Sequence, residues 1–318
     1  MYGILKRGLT KGLQLTWTLG KVIFPVTLIV TILQFTPVLP WAMNKLEPIM
    51  GWIGLSGEAA VPLVLGNFLN LYAGIAAIIT FDFTVKEVFI LAVMLSFSHN
   101  LLIESTVAKK VGVSWWFVVG VRLSLAFVSA FLINLFWKGG QEQAVYGFAP
   151  EQQAVPEGWT EIIIHGVQTA LIGIVQLAFI VIPLMIVMQY LRESGWLTRF
   201  SGWVAPATRF LGMERNTSMT LVAGLTIGLA YGAGLMIQAV EEDGVSKKDM
   251  YLAVLFLVSC HAVVEDTLVF IPLGIPIWPL LLIRLLTAIV LTAAVGFVWN
   301  KLQRERKETT NEHTYNTF

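Results

Sequence analysis

The residues of this chain with the means to do chemistry are histidine, carboxylate and arginine set inside apolar segments. His99, Glu104 and Arg122 recur as His261, Asp266 and Arg284 after a shift of 162 residues, which also carries Gly112 onto Gly274 and Trp116 onto Trp278. Ionisable groups are costly to expose to lipid, so their repetition at one spacing marks a functional set. Five residues from histidine to acid is about 140° round a helix at ~100° per residue. Each acid is therefore expected to reach a neighbouring helix, with Arg122 and Arg284 as charge partners. Glu265 has no counterpart, because Ile103 occupies its place. Lying four residues after His261, it can face that imidazole on a helix, in a pair suited to trading a proton. The alternatives are a neutral imidazole donating to a carbonyl and an ion pair that only locks two spans.

Those groups need elements to hold them, and composition says what kind. The chain has 318 residues, 56% hydrophobic and 13% charged, with mean hydropathy +0.75. Soluble chains run nearer ~25% charged, so the apolar surface must be hidden in lipid and an all-α polytopic membrane protein is expected. A formal charge of +1 gives no basic excess to track phosphates, which removes nucleic acid as a partner. A single cysteine, Cys260, excludes a disulfide framework and a thiolate metal cage. No metal site, cofactor or catalytic residue is predicted, and no G-x-S-x-G or H-E-x-x-H motif points to an enzyme.

Six apolar segments are long enough to cross a bilayer, at about 22–42, 84–105, 113–138, 162–190, 247–270 and 277–300. The stretch from Ile4 to Lys21 is either an interfacial amphipathic helix or an extension of the first span, and no signal-peptide cleavage site is expected. Two further segments, 59–80 and 219–240, are rich in helix breakers: Pro62, Gly66 and Gly74 in one, Gly228 and Gly232 in the other. Read as re-entrant hairpins, they leave three crossings per half and place 16 of the 21 basic residues on the cytoplasmic side. Three crossings invert the second half relative to the first. Two inverted repeats are thus expected, each with three transmembrane helices, an amphipathic helix (Met43 to Ile53; Trp196 to Leu211) and a re-entrant hairpin. The divisions are 1–138, an extracytoplasmic linker 139–160, 161–300, and a polar cytoplasmic tail 301–318, expected to fray. The Glu241-Glu242-Asp243 run reads as a solvated turn. Glycines that merely pack helices closely are the competing account of the hairpins.

The runs LSGEAAVPLVLGNFLNLYAGIAAI (Leu55 to Ile78) and LSFSHNLLIESTVAKKVG (Leu95 to Gly112) resemble the nucleoside-recognition, or Gate, domain. That domain is shared by concentrative nucleoside transporters, the membrane part of the bacterial ferrous-iron transporter and spore-maturation membrane proteins. The resemblance covers most of 20–138 and is echoed in 160–300. It implies a transport-type scaffold; a bacterial inner membrane is the expected setting, with both termini cytoplasmic by the bias of basic residues. The chain has no Walker loop and no cysteine in Ala59–Thr80, unlike the iron-transporting version. A secondary transporter of a small polar, nucleoside-like solute by alternating access is the expectation. Asn67, Asn70, His99, Asn100, Glu104, Thr226, His261, Glu265 and Asp266 are its candidate binding residues. Proton and sodium coupling both stay open, as does a homo-oligomer; lipid is the surrounding partner. Divalent-metal transport and a non-transporting scaffold are the alternatives.

Overall fold

The computed structural model describes residues 2–146, 158–229, 232, 234, 236–238 and 244–315. The Glu241-Glu242-Asp243 run and the middle of the 139–160 linker lie outside the described residues. Helix dominates throughout: α1 (Tyr2–Gln34), α2 (Val38–Trp52), α3 (Ala60–Phe68), α4 (Leu71–Ile78), α5 (Val85–Ser98), α6 (Leu101–Lys110), α7 (Trp115–Phe136), α8 (Trp159–Glu193), α9 (Trp196–Phe210), α10 (Ser218–Ile227), α11 (Lys247–Ser259), α12 (Glu265–Leu268) and α13 (Ile277–Tyr315). Among the described residues the one β contact is an isolated bridge, Thr84 to Gln143.

Among the described residues five helices are long and apolar enough to cross a membrane, Gly3–Gln34, Val85–Lys110, Trp115–Phe136, Trp159–Leu191 and Ile277–Glu305, or six if the pair Val38–Trp52 and Gly57–Phe68, bent by 96°, is one broken span. The expected span at 247–270 is not one helix. It stops at Ser259 and resumes as a four-residue turn of helix at Glu265, and Pro272 denies the next turn a backbone donor. The segment from Ile4 to Lys21 is part of one continuous α1, which settles that alternative for a helical extension. The tail expected to fray is helical through Tyr315.

Element order repeats. The helices α2 (Val38–Trp52) and α9 (Trp196–Phe210) lie 158 residues apart, as do the short 3-10 turns Gly57–Ala59 and Arg215–Thr217. The starts of α5 and α11 lie 162 apart. The chain divides into two compact units, one of 1–103, 119–196 and 263–284, the other of 104–118, 197–262 and 285–318. In the first, α1 packs along α8 with Gly8 and Gly12 against the backbone of Ile186 and Ile182, as small residues allow in membrane helices. There α3 and α4 double back on each other. A Cβ on Gly74 would lie 3.0 Å from Gly66 Cα and 3.1 Å from the Pro62 carbonyl, a distance no straight helix allows eight residues apart. In the second unit α10 ends at Gly228, whose φ of 88° and ψ of 167° belong to glycine alone. A Cβ on Gly232 would return to within 3.5 Å of Ala223. The chain therefore reverses between Gly66 and Gly74 and, among the described residues of the second segment, between Ala223 and Gly232.

Candidate functional site

In the first unit the site is built on the end of α5. Thr84 and Glu87 form a capping box that starts this helix, and Glu87 also accepts from the Ser56 N–H at 3.0 Å, tying the helix to the base of the hairpin. The helix ends at His99 because Asn100 takes φ +50° and gives its N–H to the Gly66 carbonyl at 3.0 Å. That carbonyl lies in the last turn of α3, where helical partners run out. Leu95 occupies the space that a Cβ on Gly66 would need. The carbonyls freed at the α5 terminus meet Arg122, fully buried, which donates to Phe97 O and His99 O at 2.6 Å each. A cation at a helix C-terminus is favourable in both charge and hydrogen bonding. The His99 ring, 2% exposed, sets Nδ1 2.6 Å from Leu95 O and Nε2 3.8 Å from Asp266. Asp266 receives Arg284 at 3.1 Å, and Arg284 also reaches Thr267 at 3.4 Å.

The second unit repeats the device. Ala262 takes φ +41° and gives its N–H to the Gly224 carbonyl at 3.0 Å; Leu257 fills the space beside Gly224. His261 Nδ1 is 2.8 Å from Leu257 O, and Nε2 is 3.2 Å from Glu104 Oε1. Its ring edge approaches Gly228 at the hairpin turn. The two halves of the sequence thus exchange partners: His99 meets the acid of the later half, and His261 the acid of the earlier one.

Arg284 takes the acid expected for it, Asp266; Arg122 caps backbone carbonyls, and Glu104 meets His261. Glu265 and His261 do not lie on one continuous helix, because a new helix begins at Glu265 itself and the backbone is broken at Cys260 to Ala262. The Glu265 carboxylate accepts from the Tyr72 hydroxyl at 2.6 Å. The remaining candidates turn inward to their own backbone. Asn67 donates to Leu63 O, Asn70 caps α4 by accepting from Ala73 N–H, and the Thr226 hydroxyl donates to Val222 O. Tyr72 and Thr267 were not predicted. A tyrosine in an otherwise apolar hairpin arm was the signal available for the first.

A model of the family described as nucleoside recognition, or Gate, matches residues 16–114 and 174–276. Those stretches begin 158 residues apart and end 162 apart, the offsets of the repeated elements. A protein of Bacillus subtilis (strain 168), described as the uncharacterized membrane protein YvoD, is 64% identical over 301 residues, 95% of this chain and 96% of that protein. No solved structure matches.

Proposed function

This chain belongs to the nucleoside-recognition (Gate) family of membrane proteins, and from that premise we propose that it is a proton-coupled secondary transporter of a small polar, nucleoside-like solute. The observation that carries the reading is the His261–Glu104 pair, buried at a helix break beside a hairpin turn. A carbonyl can only accept, so the hydrogen on His261 rests on Nδ1, facing Leu257 O. Nε2 then meets a carboxylate oxygen at 3.2 Å. Lone pair against carboxylate is repulsive, so the pair holds one proton, as imidazolium with carboxylate or as imidazole with carboxylic acid. Such a store is what a proton-coupled transporter needs within the membrane. At the equivalent place Asp266 pairs with Arg284 at 3.1 Å and sits 3.8 Å from His99.

The hairpins supply the second half of the reading. Non-helical backbone at membrane depth is tolerated where protein or a wet cavity surrounds it, and in secondary transporters broken elements of this kind border the solute. Asn67, Asn70, Asn100 and Thr226 are the side chains that would be recruited to a solute at the hairpin turns. The setting is a bacterial inner membrane with inverted repeats and cytoplasmic termini, supported by the cytoplasmic weighting of basic residues. Thermal stability of the purified protein against a panel of nucleosides, nucleobases, organic anions and divalent metals tests the solute class. Solute at 100 times its Kd adds about 2.7 kcal/mol of stability, which raises Tm by several degrees. Stabilisation by nucleosides supports the reading; stabilisation by metals alone, or by nothing, leaves a different cargo or a scaffold.

A further inference from the structure

We propose that the Tyr72 hydroxyl and the Glu265 carboxylate form a catch that positions the returning arm of the first hairpin, making the two hairpins unequal in their readiness to open. The catch joins residues 193 positions apart through a 2.6 Å hydrogen bond. Tyr72 stands on α4 two residues after the reversal at Asn70, and Glu265 is the first residue of α12. The shifts that relate the halves carry Tyr72 onto Ala230 and Ile103 onto Glu265. Alanine and isoleucine side chains have no hydrogen-bonding group, so the tyrosine–carboxylate pair is not repeated at the equivalent sequence positions. A narrow cavity opens beside Tyr72, lined by Ile75, Ile79, Gln176, Val269 and Pro272. The reversal itself brings Gly66 and Gly74 into close backbone approach.

The catch goes beyond the transport reading, because it concerns which hairpin is held whatever the cargo. Hydrogen exchange of the intact protein in lipid nanodiscs tests it. Tyr72→Phe keeps the ring and removes the donor. A hydrogen bond to a charged group is worth roughly tenfold to a hundredfold in an equilibrium, so exchange across Leu71–Ile78 is expected to rise at least tenfold while exchange across Ser218–Ile227 stays unchanged. Glu265→Gln keeps an acceptor oxygen and is expected to retain most of the protection, whereas Glu265→Leu loses it. The double variant Tyr72→Phe with Glu265→Leu is expected to be no faster than either single one. Unchanged exchange in Leu71–Ile78, equal acceleration in both hairpins, or failure of Glu265→Gln to retain protection overturns the catch. Should Tyr72→Phe fail to fold, Glu265→Leu against Glu265→Gln carries the same comparison. A protein that shows the expected exchange yet takes no solute keeps the catch and loses the transport reading. Normal uptake with unaltered exchange does the reverse.

Discussion

Each buried histidine spends one ring nitrogen on the carbonyl four residues before it and turns the other toward a carboxylate from the opposite half of the sequence. Glu104→Gln is expected to remove the proton store while keeping shape. His99→Gln is expected to be milder for coupling, since Arg284 already compensates Asp266; the ratio of proton-driven to exchange uptake in the two variants checks this. Arg122 donates to two orphan carbonyls from a fully buried position. Arg122→Lys, which cannot span both with a planar fork, is expected to lose about 2–3 kcal/mol of stability in denaturant titrations. The histidines, acids and arginines were legible because they recur at one spacing. Their partners were not: a five-residue separation rules out a shared helix face but does not say which neighbouring segment the acid reaches. The break at Ala262 was also hidden, since alanine carries no turn signal, whereas Asn100 is a residue type that tolerates the left-handed region. The hairpin carbonyls of Gly66 and Gly224 impose those breaks from across the fold.

Among elements, the hairpins were legible through their glycines, but the roles of those glycines divide. Gly74→Ala would drive a Cβ into the Gly66 and Pro62 backbone, whereas the same change at Gly232 meets Ala223 at ordinary contact distance. Gly74→Ala is expected to cost about 1–3 kcal/mol and Gly232→Ala much less, measured as midpoint shifts in denaturant. The pairing of α1 with α8 ends in Arg7 and Glu193, joined at 2.8 Å. The Arg7 hydrogen bond, aided by one from Gln189, holds the Glu193 carboxyl down at about 2 from an ordinary value of 4.5. A lowered acid pKa stabilises the fold above the unfolded value and loses that contribution as pH falls through the folded one. The Tm gap between the parent and Arg7→Gln is therefore expected to hold steady above pH 4.5 and to close between pH 4.5 and 2. That link was not legible, because both residues read as ordinary solvated charges near helix ends.

For the whole molecule, duplication is plain in element order and in the two family-matched stretches, while inversion is the part still carried by charge alone. If the halves are inverted, Lys45→Cys on α2 labels from outside and Arg209→Cys on α9 from the cytoplasm; both positions are exposed, and the chain's own Cys260 is buried. The break inside 247–270 escaped the sequence reading because hydropathy counts apolar residues and is blind to a backbone that gives its N–H to a hairpin. The central claim is that the His261–Glu104 pair couples solute movement to a proton. It is tested most directly in proteoliposomes holding the stabilising solute, by comparing uptake under an imposed pH gradient with exchange at equal pH. The account predicts that Glu104→Gln abolishes the gradient-driven component and leaves exchange within about twofold of the parent, since exchange needs no net proton movement. Gradient-driven accumulation that survives Glu104→Gln undiminished, or solute movement in the parent unaffected by the pH gradient, would contradict it.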